Sequence, residues 1–126
     1  MSLTAGVVTP CLAASKMFYT GLFGFKIVFE SDWFLLMSTP DGLGHISFLQ
    51  PDHPSQQPLF QPAFNGKGIY LTLEVEDVYV EYERIKNKGI PILIELREEP
   101  WGDRHFAISD PAGLALDIVT YTHPES

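Results

Sequence analysis

The chain carries the stretch EEPWGDRHFAISDPAGLALDIV at residues 98–119. A loop with a tryptophan between proline and glycine leads into a strand-like run, a Pro-x-Gly turn and a second strand-like run. Proline and glycine at these offsets set the dihedral angles of tight turns, and the runs on either side are rich in strand formers. The stretch therefore predicts a β-hairpin preceded by a structured loop.

The same pattern occurs earlier in the chain, which reveals an internal repeat. Residues 33–49, WFLLMSTPDGLGHISFL, align with residues 105–119 so that Pro40 matches Pro111 and Gly42 matches Gly113. Upstream, LFGFKIVFES at 22–31 aligns with NKGIPILIEL at 87–96, and each segment has a glycine before an alternating, strand-like run. Each half thus ends in three consecutive strands.

A strand and a helix precede each of these meanders. In the second half, Asp77 is placed to cap a helix whose apolar positions Val78, Tyr82 and Ile85 recur at helical spacing. A similar helical segment runs from about residue 12 to a stop at Gly24, and strands are expected at 5–8 and 69–75. Between the halves, PDHPSQQPLFQPAFNG at 51–66 has four prolines and no periodicity, which is typical of a linker.

Composition limits the partners that the protein can have. Its 126 residues suit a single domain, and 16 acidic against 8 basic side chains give a formal net charge of −8. That charge disfavours nucleic acid and anionic membranes and favours cationic molecules. We expect no signal peptide or membrane span, since no basic region followed by an apolar run opens the chain. Cys11 is the one cysteine, so a cytoplasmic location is the simplest expectation.

These motifs resemble a known family over nearly the whole chain. The opening stretch, with FYTGLFGF at 18–25 and VYVEYERIKNKG at 78–89, is similar to the glyoxalase, bleomycin-resistance and extradiol dioxygenase group, called the vicinal-oxygen-chelate superfamily. The resemblance implies an α+β fold in which two tandem βαβββ modules form a curled mixed sheet around a central cavity. It further implies one domain over residues 1–126, with modules at about 3–50 and 67–121 and the linker at 51–66.

The resemblance also indicates where a metal would be bound in an enzyme of this group. The corresponding ligand positions are near Thr4, Ser47, Tyr70 and Asp117. One carboxylate, two aliphatic hydroxyls and a phenol are poor donors for zinc, nickel or iron. We therefore predict that the protein has no metal and no cofactor. An unconventional site built from His45, Asp117 and His105 remains the alternative.

The resulting hypothesis is a non-catalytic protein that sequesters an aromatic or cationic small molecule, as bleomycin-resistance proteins do. The resemblance places Trp33 where such proteins stack an aromatic on the drug, and we predict no catalytic residue. The predicted ligand-binding residues are Trp33, Ser47, Tyr70, Trp101, Phe106 and Asp117. The alternative function is a metal-dependent lyase or dioxygenase of the same superfamily. The resemblance also implies a homodimer, with or without exchange of the first strand between subunits.

Overall fold

The computed structural model describes residues 1–121. Within them the predicted order of strand, helix and three strands occurs twice, which confirms the α+β class and the two βαβββ modules. The elements are β1 (Thr4–Val8), α1 (Leu12–Phe23), β2 (Lys26–Glu30), β3 (Phe34–Ser38), β4 (His45–Leu49), β5 (Tyr70–Glu74), α2 (Val78–Asn87), β6 (Ile94–Glu98), β7 (Arg104–Ser109) and β8 (Ala115–Thr120).

The first compact unit spans Met1–Asn65. Its sheet has the strand order β1-β4-β3-β2, with β1 parallel to β4 and the other neighbours antiparallel. Helix α1 covers one face of this sheet, where the Tyr19 ring lies 5.5 Å from the ring of Phe48. Both rings are almost fully buried, so they form the centre of this unit's core. The helix ends as predicted at Gly24, whose φ of 70° is a left-handed value that glycine adopts readily.

The second compact unit begins at Gly66. Its sheet repeats the first arrangement, with the order β5-β8-β7-β6 and β5 parallel to β8. Helix α2 starts at the predicted cap, because the Asp77 carboxylate accepts hydrogen bonds from the N–H groups of Tyr79 and Val80. The Tyr82 ring packs edge-on against Phe106 at 5.3 Å, which fixes α2 on one face of this sheet.

Strand alternation therefore gives each sheet a covered face and a helix-free face, the one opposite its helix. The covered faces hold the largest buried side chains, among them Leu35, Met37, Phe48, Phe106, Ile108, Leu116 and Ile118. The helix-free face of the first sheet has His45 and Ser47 on β4. The helix-free face of the second sheet has His105 on β7 and Asp117 on β8. The side chains on the two helix-free faces are mostly half-buried or exposed.

Most of the predicted linker at 51–66, up to Asn65, belongs to the first compact unit. It contains one turn of 3₁₀ helix at Pro58–Phe60, and the Asp52 N–H donates to the Gln61 carbonyl at 3.0 Å. The Phe64 N–H donates to the Val8 carbonyl at 2.8 Å, which ties the end of the segment to β1. No helix within residues 1–121 combines the length and the apolar character needed to cross a membrane.

Candidate functional site

The helix-free face of the second sheet brings together an imidazole and two carboxylates. His105 lies near the start of β7, with its Nδ1 2.6 Å from Asp117 Oδ1 on the neighbouring strand β8. Its Nε2 lies 2.7 Å from Glu99 Oε2, which follows the end of β6. The side chains of His105 and Glu99 are only 18% and 13% exposed, so water screens this contact weakly.

This geometry favours the protonated form of His105. An imidazolium donates from both ring nitrogens, and each nitrogen faces a carboxylate oxygen that can accept. The hydrogen bond to Glu99 is the largest contribution that raises the pKa of His105 above its ordinary value of 6.5, and Asp117 adds to it against the opposing effect of burial. The same contact with His105 lowers the pKa of Glu99. The protonated form of His105 is thus stabilised by the carboxylates of Glu99 and Asp117.

A nearby arginine completes the local charge balance. Arg97 Nε lies 3.0 Å from Glu99 Oε2, and Arg97 Nη2 donates to Glu99 Oε1 at 3.2 Å. With His105 protonated, two positive and two negative side chains balance each other. The Asp117 side chain remains 29% exposed, so this carboxylate can still be reached from solvent.

The loop between β6 and β7 carries Trp101 beside this cluster. The Glu99 N–H donates to the Asp103 carbonyl at 2.8 Å and the Gly102 N–H donates to the Glu99 carbonyl at 2.8 Å, which closes the loop on itself. The indole N–H of Trp101 donates to Asp103 Oδ2 at 2.9 Å. With 64% of its surface exposed, Trp101 is held at the tip of the loop and does not fill the core.

Two other predicted residues of the second unit have different surroundings. Tyr70 lies on the helix-free side of β5 and is 66% exposed, although the strand register places Thr72, not Tyr70, directly beside Asp117. Phe106 requires a correction, because it is fully buried and faces α2 on the covered side. Neighbouring residues of a strand point to opposite faces, so Phe106 cannot share a surface with His105.

On the first sheet, Ser47 lies at the centre of the helix-free face. The register pairs it with Gly6 of β1 and Leu36 of β3, whereas Thr4 pairs with His45. A Cβ atom on Gly6 would lie 3.2 Å from Ser47 Oγ, so the serine hydroxyl occupies the space beside the glycine. A larger side chain at this position would have to displace that hydroxyl.

Trp33 precedes β3 and is already stacked on a second ring. The indole and the imidazole of His53, a residue of the linker, lie 4.1 Å apart between centroids with 16° between their planes. One indole face is therefore covered. Phe34 lies 6.0 Å from Trp33 and 6.2 Å from Phe29, which forms a row of rings that continues onto the helix-free face. Sequence reasoning missed Phe29 and Phe34. Phe34 precedes the buried Leu35 on β3, which indicates its side of the sheet, whereas the side of Phe29 follows only from its pairing with Leu36.

The donors fit a transition metal poorly in either unit. The first sheet offers Thr4, His45, Ser38 and Ser47 on its helix-free face, which is one imidazole among hydroxyls. In the second, the two nitrogens of His105 point away from each other toward separate carboxylates, so the three groups do not converge on one point. Within residues 1–121 no set of three His, Cys, Asp or Glu side chains is arranged to hold a metal ion.

Comparison with solved structures finds the same fold throughout. A lactoylglutathione lyase from Agrobacterium tumefaciens matches with a TM-score of 0.75 and 19% identity over 95% of this chain and 92% of that one. TnmS3, an antibiotic binding protein from Streptomyces sp. CB03234, matches with a TM-score of 0.76 and 19% identity over 97% of this chain and 96% of that one. A bleomycin resistance determinant encoded on the transposon Tn5 matches with a TM-score of 0.68 and 21% identity over 98% of this chain and 99% of that one.

Sequence comparison gives the family directly. The chain covers only 30 to 34% of the length of the curated mycobacterial relatives that it matches, which are uncharacterized proteins 31% identical to it over 51 residues. The model of one family, by contrast, matches residues 3–118. This protein therefore belongs to the Glyoxalase/Bleomycin resistance protein/Dioxygenase superfamily.

Proposed function

We propose that this protein binds a small aromatic or cationic molecule on a helix-free sheet face, without a metal and without transforming it. The observation that carries the proposal is the state of Asp117. Its carboxylate stands where the family resemblance places a metal ligand, but it is hydrogen-bonded to the imidazolium of His105 at 2.6 Å. A protonated side chain thus supplies the positive charge that a divalent ion would supply in an enzyme of the family.

The same cluster argues against acid–base catalysis. A general base needs a free lone pair, and both nitrogens of His105 face carboxylate oxygens. Asp117 keeps a solvent-accessible side chain, which suits it to hold the cationic group of a ligand. The exposed rings of Tyr70 and Trp101 are suited to contact an aromatic or cationic body.

The first unit supplies a more apolar surface. Phe29, Phe34 and Trp33 form a continuous row of rings, and Ser47 provides a hydroxyl on the same helix-free face. Rings with a nearby polar group are the usual lining of small-molecule sites. This surface of the first unit suits an aromatic group, and the face around Asp117 in the second unit suits a cationic group.

The experiment combines metal analysis with a thermal-shift screen of bleomycins, other cationic antibiotics and small aromatic metabolites. We expect less than stoichiometric metal in the purified protein and an unchanged melting temperature after treatment with a chelator. A ligand at about 100 times its Kd should stabilise the native state by ~2.7 kcal/mol. Asp117→Asn should weaken a cationic hit, whereas Glu83→Gln, an exposed carboxylate on α2, should leave its affinity unchanged.

The competing function is a metal-dependent lyase or dioxygenase. A stoichiometric transition metal together with turnover in a lactoylglutathione lyase assay would replace our proposal with that one. The two functions also differ in their response to a chelator. Binding without a metal should survive chelator treatment in the wild type and in His105→Gln, whereas metal-dependent turnover should be lost.

We further propose a cytoplasmic homodimer. The support for association is the edge strand β2, on which Ile27, Val28 and Phe29 are all exposed. Exposed apolar edge strands are usually covered by another chain or by a device that blocks pairing. Within one chain, strand β1 pairs with β4. Light scattering across a range of concentrations tests the dimer, and a constant monomer mass would contradict it.

A further inference from the structure

A cavity of about 310 Å³ lies in the second unit, on the opposite side of the sheet from His105. It is formed where the start of α2 meets the end of β8 and the start of β7. Arg104 lines it from β7, where its side chain points to the same side as the buried Phe106 two residues later. The cavity is lined by Glu76, Asp77, Val78, Tyr79, Arg104 and Thr120.

Arg104 has an unused capacity to bind an anion. Its guanidinium carbon lies 5.3 Å from the centroid of the Tyr79 ring, a cation–π contact that holds the group in place. Its Nε is buried and has no hydrogen-bond partner within residues 1–121, where the guanidinium forms no ion pair either. Arginine is always charged and presents a planar set of donors that matches a carboxylate.

Most other polar groups of the cavity are already occupied. Thr120 Oγ1 accepts from the Val78 N–H at 2.9 Å and donates to the Val75 carbonyl at 2.8 Å. Asp77 Oδ1 caps the helix by accepting from the N–H groups of Tyr79 and Val80. The start of α2 therefore offers no free donors, and the anion-binding capacity of the cavity comes from Arg104.

Glu76 is the second group without a partner. Its carboxylate is exposed and makes no hydrogen bond or ion pair with another residue in the described part of the chain. Arg104 and Glu76 line one cavity without pairing, which leaves space for a molecule between them. A purely anionic molecule would be repelled by Glu76 and Asp77, and a purely cationic one by Arg104.

We propose that this cavity binds a small zwitterion, a free α-amino acid, with its carboxylate on Arg104 and its ammonium group on Glu76. Such a molecule has both charges within one short span and satisfies both unpaired groups at once. The exposed Tyr79 provides the apolar contact for its side chain. The site is separate from the helix-free face and does not depend on the function proposed above.

The test is isothermal titration calorimetry of the full chain with L-leucine. Two analogues with the same apolar body separate the charges: 3-methylbutylamine lacks the carboxylate and 4-methylpentanoate lacks the ammonium group. We expect leucine to bind and each analogue to bind about tenfold more weakly or worse, since each loses one charge-assisted contact. Arg104→Gln and Glu76→Gln should each weaken leucine by a similar factor.

Matched controls lie on α2 outside the cavity. Arg84→Gln and Glu83→Gln change the same residue types in the same unit and should leave leucine binding unchanged. Glu76 is exposed, so its replacement tests the site even if the Arg104 variant unfolds. The proposal is overturned if leucine gives no binding signal at ~10 mM, far above a Kd in the usual range. Equal binding of leucine and 4-methylpentanoate would overturn it as well.

Discussion

His105 couples the stability of this protein to pH in a defined direction. The folded state raises the pKa of His105 above 6.5, so its stabilising contribution is complete below the unfolded pKa and is lost as pH rises through the folded pKa. The folded state lowers the pKa of Glu99 below 4.5, so that contribution is complete above 4.5 and is lost as pH falls through the folded value. The pair therefore stabilises the fold most between pH 4.5 and 6.5.

The prediction concerns His105→Gln, which keeps a polar side chain but removes the titrating ring. The free energy of unfolding should drop more in this variant at about pH 5.5 than at about pH 8.5, because the stabilisation from the protonated ring is complete below 6.5 and is lost as pH rises through the raised pKa of His105. Urea unfolding at both pH values measures the difference. His45→Gln is the control, since His45 forms no ion pair in the described residues. An equal loss for His105→Gln at both pH values would contradict the charged cluster.

The substitution Trp33→Ala tests whether a ligand stacks on this indole. One face of its indole is covered by His53, so only the other face is open to a ligand. Trp33→Ala should weaken an aromatic ligand by about 0.5 to 1.5 kcal/mol beyond the loss of buried area, or roughly two- to twelvefold in Kd. His53→Ala should leave the open face intact and change the Kd less. A titration in which both variants bind like the wild type would remove Trp33 from the site.

At the scale of elements, the two Pro-x-Gly turns are alike in backbone and different in their side-chain support. Gly42 and Gly113 both adopt left-handed φ angles, of 78° and 86°. In the second turn the buried Asp110 carboxylate accepts from the N–H groups of Ala112 and Leu114 at 2.9 and 2.8 Å. In the first, Thr39 Oγ1 accepts from the Gly44 N–H at 3.0 Å. The repeat has thus preserved the turn while changing the groups that hold it.

Two glycine-to-alanine substitutions show how far the backbone conformation of a glycine, as opposed to the space around it, affects stability. A Cβ on Gly113 would meet only ordinary contacts, at 3.7 Å from the Gly66 Cα, but its φ of 86° is strained for alanine. Gly113→Ala should destabilise the fold by about 1 to 2 kcal/mol. Gly21→Ala, in the last turn of α1 with nothing within 4 Å of the added Cβ, should stabilise it by up to ~1 kcal/mol. Thermal unfolding measures the stability change of each variant. A destabilising Gly21→Ala would contradict the open space that the structure shows beside this helical glycine.

Local patterns predicted the elements well and the candidate site only in part. The Asp77 cap, the Gly24 stop and the matched turns are properties of short stretches, so the helices and strands could be derived from the sequence. The prediction for Phe106 was wrong because it rested on the residue type, since aromatic rings suit a ligand surface. Its exposure depends instead on which face of β7 is covered by α2, and the Phe106 ring packs against Tyr82 of that helix. Register slips by one residue exchange the two faces of a strand.

At the scale of the whole molecule, the partners of His105 show why the site was harder to predict than the fold. Asp117 is 12 residues away and becomes a neighbour only when β7 and β8 pair. Glu99 is 6 residues away across the loop of the β6–β7 hairpin. A signal was present, since residues that flank a short hairpin loop meet on one face, but bulges between Ile94 and Arg97 shift that register.

The excess of 16 acidic over 8 basic residues gives a prediction that belongs to the whole chain. A field of net charge −8 attracts a cationic ligand over distances comparable with the Debye length, about 10 Å at 0.1 M salt and about 3 Å at 1 M. The association rate of a cationic ligand should therefore fall as salt rises. The dissociation rate should change less, because contacts inside the site are screened weakly.

Stopped-flow tryptophan fluorescence with a cationic hit and a neutral analogue measures this effect. The association rate of the cation should decline steeply between 0.05 and 0.5 M sodium chloride, a range over which the Debye length falls by about a factor of three. That of the neutral analogue should stay nearly constant, since it has no net charge for the field to act on. If both rates have the same salt dependence, the acidic surface serves solubility and does not steer the ligand. The charge of the chain would then give no support to a cationic ligand, and the case for one would rest on Asp117 and the exposed rings of Tyr70 and Trp101.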